Sequence, residues 1–368
     1  MSSDPQRGRR VVIAGGGTGG HLYPGVAIAR EIMRRDPEAR VSFAGTARGI
    51  EARVVPLEGF DLDVIRSAGL KGKSVKTRLA GIGMLPASAA DAWRLLSRRR
   101  PQIVLGVGGY SSGPVVLLAA LRGISTMVLE QNAVPGLTNR WLAPWVRAAA
   151  VTYEDTLAYF RGKAFVAGNP VRQEFFEPSK FEVRTSNLLR VLVLGGSQGA
   201  HAINVAMVAA AAELVARHPG LEIVHQTGSR DLDTVRDGYA HLGIVARTEP
   251  FLDAMAREMT MADVVICRAG ATTLAELAAI GRSAVLVPFP AATDDHQRKN
   301  AQVLASAGAV EVIDETALDG ARLCAVVDRL LTDAARRAAM AGAMRGQAKP
   351  DAATRIVDRL FALADGRG

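Results

Sequence analysis

Cysteine is nearly absent from this sequence: in 368 residues there are two, Cys267 and Cys324. So few, set so far apart, exclude a disulfide framework and a cysteine-based zinc site. Aromatic residues make up 5%. No helix-turn-helix, zinc-finger or RNP pattern accompanies the basic charge, so nucleic acid is not expected as a partner. A long unbroken apolar run is also missing. The uncharged stretch from Ile103 to Leu121 comes nearest, but "GVGGYSSGP" interrupts it. A strand, a glycine loop and a helix account for it better than a membrane span. The opening "MSSDPQRGRR" lacks the order of a secretory signal and runs directly into the strand-like "VVIAG". Together these absences lead to the expectation of a soluble cytoplasmic protein.

Acidic charge is scarce in the first half. The net charge of +9 divides unevenly: residues 1–167 hold 23 Lys and Arg against 12 Asp and Glu, and residues 168–368 hold 22 against 24. Between Arg66 and Arg100 nine basic residues face one acid, Asp91. Lys71, Lys73 and Lys76 belong to this run, with Leu79, Ile82, Leu85 and Trp93 threaded through it. Basic side chains around an apolar, Trp-bearing surface suit the headgroup region of an anionic membrane. The plainer alternative is a solvated helix whose apolar residues face the core.

The length suggests about two domains. Both halves alternate β-branched runs with helical patterns, the mark of parallel sheets covered by helices. The first half offers "RVVIA", "RVSFAG", "DVIRS", "IVLGV", "STMVLE" and "AAAVT". The second offers "RVLVLGG", "LEIVHQ", "GIVAR", "DVVICR", "SAVLVP" and "AVEVI". The periodicities break over Gly168 to Asn187, so the domains are expected at 1–167 and 168–348. A last helix follows Pro350, within 349–368, and its stripe of Ile356, Val357, Leu360, Phe361 and Leu363 needs a partner surface.

Three glycine loops follow strands: "GGGTGGH" with Thr18, Gly19 and Gly20, "GVGGYSSGP" with Gly109, Tyr110 and Ser111, and "GGSQGA" with Ser197. Such loops turn bare backbone N–H groups and a helix N-terminus towards an anion. Gly15, Gly17 and Gly20 also satisfy the dinucleotide fingerprint. That reading requires an acid at the tip of the next strand for the ribose. The strand ends Ala44–Gly45–Thr46, and the first acid, Glu51, comes too late. The loops therefore point to phosphate-bearing ligands other than a dinucleotide.

The motifs "GGGTGGHLYPG", "GGYSSGP", "EQNAVPGLTNR", "GNPVR", "GGSQGA", "CRAGATTLAELAAIG" and "PFPAATDDHQRKNA", in this order, closely resemble the MurG family of bacterial transferases, within glycosyltransferase family 28. Members move N-acetylglucosamine from its UDP donor onto lipid I, undecaprenyl-pyrophosphoryl-MurNAc-pentapeptide, making lipid II for peptidoglycan. The resemblance spans almost the whole chain. It implies an α/β GT-B fold, two Rossmann-like domains with parallel sheets facing each other across a cleft. Acceptor binding would fall to the first domain and UDP-GlcNAc binding to the second, with the last helix packing back on the first. It also implies peripheral attachment to the cytoplasmic face of the inner membrane, no cofactor, and proteins of cell-wall synthesis as candidate partners.

The resemblance carries roles onto matching residues. On the donor side, Ala271, Thr272, Thr273, Leu274, Ala275 and Glu276 open a helix whose N-terminus would meet the diphosphate and whose Glu276 would accept from both ribose hydroxyls. Arg172 and Ser197 would contact the diphosphate, with Thr18, Gly19 and Gly20 near phosphate. Leu252, beside Phe251, would lie at the uracil, Gln297 at the sugar hydroxyls and Asn132 at the donor sugar. His296 and Asn300 are neighbours of Gln297. On the acceptor side stand Gly109, Tyr110, Ser111, Glu130 and Gln131. His21 is the first candidate for general base, since imidazole titrates near neutrality and can take the proton of the attacking 4-hydroxyl. The alternative for His21 is a helix cap or a ligand of the acceptor diphosphate.

One departure is informative: the family has a histidine immediately before its "EQN", and Leu129 stands there. Two D-x-D triplets, Asp61–Leu62–Asp63 and Asp231–Leu232–Asp233, resemble metal-holding motifs but lie outside the family's pattern, so no metal is expected. The rival readings are a UDP-GlcNAc epimerase, a transferase for another lipid acceptor, a non-catalytic nucleotide-sugar sensor and an oxidoreductase.

Overall fold

A computed structural model describes residues 8–67, 84–177, 188–195, 200–292 and 295–366. It divides into two units, the first comprising Met1–Arg172 with Lys349–Gly368 and the second Gln173–Ala348.

Among the described residues of the first unit seven strands alternate with helices. The strands are β1 (Arg10–Gly15), β2 (Arg40–Gly45), β3 (Asp61–Val64), β4 (Ile103–Gly108), β5 (Ser125–Glu130), β6 (Ala148–Val151) and β7 (Ala164–Val166). The helices are α1 (Gly19–Arg35), α2 (Glu51–Leu57), α3 (Leu85–Arg99), α4 (Ser112–Leu121) and α5 (Leu137–Leu142). The sheet order is β3-β2-β1-β4-β5-β6-β7, and all pairings are parallel. Continuous burial along β4 and β6 explains their unbroken apolar runs, since helices cover both faces.

The second unit repeats the plan. Its strands are β8 (Arg190–Leu194), β9 (Glu222–Gln226), β10 (Ala246–Glu249), β11 (Val264–Cys267), β12 (Ala284–Leu286) and β13 (Val310–Val312). Its helices are α6 (His201–Arg217), α7 (Leu232–His241), α8 (Met255–Met261), α9 (Ala271–Ile280), α10 (His296–Ser306), α11 (Gly320–Thr332) and α12 (Ala334–Gly346). The order β10-β9-β8-β11-β12-β13 is again wholly parallel. Both sheets are therefore doubly wound, and the strand order reverses between β1 and β4 in one and between β8 and β11 in the other. Ligands of such sheets bind beyond the carboxyl ends at that reversal.

The last helix, α13 (Ala352–Ala364), belongs to the first unit. Its Ile356, Val357, Leu360 and Leu363 are buried with Val11, Ile13, Leu22, Leu105 and Met127. Burying each such side chain is worth about 1.5–3 kcal/mol. Its polar edge is pinned to α1, where Arg35 pairs with Asp358 at 2.5 Å and Thr354 Oγ1 donates to Glu31 at 3.3 Å.

Three boundaries differ from the sequence expectation. The first unit continues to Arg172, because the N–H groups of Ala167 and Gly168 donate to the Val151 carbonyl and hold that segment on the sheet. The three-residue β7 is too short to show a period of its own. The strand sought in "GIVAR" starts at Ala246 and runs to Glu249.

Candidate functional site

In the first unit the reversal point brings two glycine loops side by side. Gly15 at the end of β1 is in register with Gly108 at the end of β4. A Cβ on Gly108 would lie 2.6 Å from His21 Nδ1, so only glycine lets the imidazole rest against this backbone. His21 is half-buried in the first turn of α1, behind the N-cap Thr18. Thr18 and Gly20 are exposed, and Gly19 is half-buried. Tyr110 is 47% exposed. Ser111, by contrast, is buried, and beside it Ser112 Oγ donates to the Gly109 carbonyl at 2.8 Å.

The "EQN" segment behaves differently from its sequence expectation. Glu130, at the tip of β5, is buried and accepts from Asn132 N–H at 3.0 Å, Gly136 N–H at 2.9 Å and Asn139 Nδ2 at 2.8 Å. Gln131 is buried too, its Nε2 donating to the Val107 carbonyl at 2.8 Å. Both side chains turn inward and shape the loop. A carboxylate is the one side chain that can accept from so many convergent donors. Asn132 stays half-buried at the surface. Leu129 is fully buried in the cluster that also holds Leu22, Val107 and Ala150. Alternation along β5 sends position 129 to the same face as Met127 and position 130 to that of Val128.

Arg172, expected in the donor domain, lies in the first unit, with its guanidinium carbon 4.3 Å from the centre of the Tyr23 ring. Sequence reasoning missed Tyr23. Only the fold brings the end of the first unit back to α1.

In the second unit, α9 begins after Gly270, whose extended backbone caps it directly beyond β11. Ala271 and Thr272 are buried, Thr273 and Ala275 are half-exposed, and Leu274 packs in the core, so Leu274 can offer a ligand only its backbone. Glu276 is 7% exposed. Burial and, secondarily, the Glu276 carboxylate push the Cys267 thiol up to about 12. That makes Cys267 an inert thiol. On α10, Gln297 Oε1 accepts from Phe289 N–H at 3.0 Å, and Asn300 Nδ2 donates to the Ala269 carbonyl at 3.3 Å. His296 opens α10, half-buried beside them. Asn300 thus braces the turn leading into α9, and Gln297 the loop that follows β12.

Leu252 is buried, and its N–H donates to Gln226 Oε1 at 3.2 Å. The Gln226 carbonyl in turn accepts from Gly195 N–H at 2.8 Å. Gln226 therefore ties the start of the third glycine loop to the segment at Leu252. The sequence held no signal for this beyond its position at the end of a strand. Beneath it runs a buried polar chain. His225 Nε2 meets Asn204 Oδ1 at 3.0 Å and His225 Nδ1 meets the Tyr239 hydroxyl at 2.9 Å, while Asn204 Nδ2 donates to Asp231 at 2.9 Å.

Some sequence expectations fall outside the described residues: Ser197, and Lys71, Lys73, Lys76, Leu79 and Ile82 of the basic-apolar run, together with the side chain of Leu85. Trp93 on α3 is described and is 54% exposed, with the Arg122 guanidinium 4.5 Å from its ring centre. Asp61 and Asp63 pair with Arg99, each at 2.8 Å, and Asp63 also with Arg98. Asp231 is engaged by Asn204 and, at 3.1 Å, by His201. These aspartates are committed to neighbouring side chains. Among the described residues no cluster of three or more metal-ligating side chains occurs. No described helix is long and apolar enough to cross a membrane.

Comparisons with known proteins bear on the same residues. Residues 11–151 match the glycosyltransferase family 28 N-terminal domain, and residues 190–356 the family's C-terminal domain. A protein of Anaeromyxobacter sp. (strain K) is 44% identical over 97% of this chain and 94% of its own length. It is named UDP-N-acetylglucosamine--N-acetylmuramyl-(pentapeptide) pyrophosphoryl-undecaprenol N-acetylglucosamine transferase. The crystal structure of Acinetobacter baumannii MurG superposes with a TM-score of 0.75 at 28% identity, covering 96% of this chain and 99% of that one. A UDP-GlcNAc 2-epimerase from Neisseria meningitidis, bound to UDP-GlcNAc, reaches a TM-score of 0.67 at 14% identity, over 95% of this chain and 99% of its own. That likeness is one of fold alone.

Proposed function

The chain belongs to glycosyltransferase family 28, and on that premise we propose that it moves N-acetylglucosamine from UDP-GlcNAc to the MurNAc 4-hydroxyl of lipid I, forming lipid II. The observation that carries this reading is the 44% identity, over 97% of the chain, to a transferase named for that donor and acceptor. The fold supports it: the motif loops at Gly15–Gly20, Gly108–Ser112 and Ala269–Ala271 all follow central strands at the carboxyl edge, beside a reversal point.

The acceptor hydroxyl oxygen attacks the anomeric carbon and the bond to UDP breaks, with inversion. His21 in the first unit takes the hydroxyl proton. UDP leaves with the bonding electron pair, stabilised by Arg172 and by the N-terminal amides of α9. Glu276 holds the ribose, Gln297 and Asn132 the sugar, and Tyr110 the acceptor. Ser197 and the Thr18–Gly20 backbone complete the phosphate contacts. Asp61, Asp63 and Asp231 of the D-x-D triplets are engaged by neighbouring side chains, which favours assigning leaving-group stabilisation to Arg172 and the α9 amides. The protein works at the cytoplasmic face of the inner membrane, where the basic-apolar run and Trp93 meet anionic lipid.

The test is incubation with UDP-GlcNAc and a short-chain lipid I analogue, with and without EDTA. Disaccharide formation with stoichiometric UDP release is the expected result. Loss of activity in EDTA with recovery in magnesium would overturn the metal-independent route. Donor consumption with no acceptor present would overturn the transferase reading in favour of an epimerase.

A further inference from the structure

Glu51 begins α2, and in the sequence it stands too late to serve a ribose. In the fold it is fully buried. One carboxylate oxygen, Oε2, accepts from the N–H of Gly17 at 2.7 Å. The other, Oε1, accepts from Thr46 N–H and Thr46 Oγ1, both at 2.8 Å. Thr46 Oγ1 accepts in turn from Gly49 N–H at 3.1 Å.

Space around the carboxylate is shaped to it. A Cβ on Gly16, Gly45 or Gly49 would approach the Glu51 side chain to 2.4, 2.5 and 2.1 Å. The three glycines come from the β1 loop and from both sides of the β2 turn. They meet because β1 and β2 are parallel neighbours in register, Ala14 beside Ala44. Amides turned out of a loop after a strand can hold an anion. Here the Gly17 N–H, together with the Thr46 N–H and hydroxyl, holds one that is part of the chain. A ligand phosphate directed at Gly17 would have to share its N–H with a buried carboxylate, against like charge in a poorly screened setting.

We infer that Glu51 is a positioning residue that fills the anion nest of the first glycine loop with the protein's own carboxylate, so that Gly15–Gly17 is a preset turn closed to ligand phosphate. The loop's ligand-facing groups then begin at Thr18, the N-cap of α1, and His21 is held in place by the turn before it. This deepens the transferase reading for its kinetic consequences. The occupancy of the nest stands independently of it.

The experiment compares the full-length protein with Glu51→Gln and Glu51→Ala. Amide exchange at Gly17, followed by NMR or mass spectrometry, tests the nest without any activity measurement. Exchange should be at least about tenfold faster in Glu51→Gln, which keeps the shape but turns one acceptor into a donor. Equal exchange at Gly17 in wild type and Glu51→Gln would overturn the inference, whatever the enzyme does. In the transferase assay, kcat should fall about tenfold to a hundredfold in both variants, with the donor KM within about twofold, as expected for misplaced catalytic groups. Formate should restore at least about threefold of the lost rate in Glu51→Ala, where it can occupy the vacated nest, and none in Glu51→Gln, where the space is filled. Wild-type kcat in Glu51→Ala, or formate rescue equal in both variants, would sink the positioning role. Crystals of wild type soaked in inorganic phosphate should show none within hydrogen-bond distance of Gly17 N, and phosphate found there would do the same. A wild type inactive in the assay would instead count against the transferase reading and leave the exchange result to decide this one.

Discussion

The Arg172 guanidinium stacks on the Tyr23 ring, 4.3 Å from its centre, so a cation at the end of the first unit is aimed by the third residue of the α1 motif turn that follows Gly20. Cation–π contacts of this kind are worth about 0.5–2 kcal/mol. Tyr23→Leu should therefore lower kcat/KM for UDP-GlcNAc by about twofold to thirtyfold while the fold is retained. Arg172→Lys, which keeps the charge but loses the planar fork, should cost at least as much. Unchanged kinetics in both variants would remove Arg172 from the donor's surroundings.

Glu130 is predicted to matter for stability before it matters for catalysis. Glu130→Ala leaves the N–H groups of Asn132 and Gly136 and the Asn139 amide without their acceptor. The expected loss is about 2–3 kcal/mol, read from urea unfolding. Glu130→Gln should recover part of it. A variant as stable as wild type would mean that the loop finds other acceptors.

Glu276→Ala should weaken donor binding by about 1.5–3 kcal/mol, the range for hydrogen bonds to a charged group, with little change in the acceptor KM. Calorimetric titration with UDP checks it. Equal loss for donor and acceptor would point to a collapsed α9 instead of a missing ribose contact.

Stability should fall on acidification, partly through His225. Burial lowers its pKa from 6.5 to about 3. The folded state therefore keeps it neutral while the unfolded chain takes up a proton below pH 6.5. Its contribution is intact above that pH and declines as pH drops towards 3. The hydrogen bonds agree: with Asn204 Nδ2 donating elsewhere, Nε2–H donates to Asn204 Oδ1, and Nδ1 accepts from the Tyr239 hydroxyl. Between pH 7 and pH 5 this one residue should account for about 2 kcal/mol of lost stability. His225→Gln, less stable at pH 7, should show a loss over the same interval smaller by that amount. An equal pH dependence in both proteins would assign the acid sensitivity elsewhere.

Trp93 provides a test of the membrane contact. Sedimentation with vesicles containing anionic phosphatidylglycerol should weaken as salt rises, and Trp93→Ala should reduce it further. Binding only to neutral vesicles, or none at all, would leave the first unit's excess positive charge without this role.

The two doubly wound sheets, their loops and the final helix's apolar stripe were legible in the sequence, because strand and helix periods and glycine spacing are local properties that follow from backbone geometry. So was the family, through the order of seven motifs. What the chain order alone could not decide was which way each polar residue would face. Glu51 read as an acid too late for its purpose, and the pairing of β1 with β2 made it the anchor of the first loop. Glu130 and Gln131 are buried among loop partners that their positions in the sequence do not announce, while Arg172 joined the first unit and not the second. Hydrogen-bond partners and burial are set by which strands lie side by side, and that neighbourhood exists only once the sheets have formed.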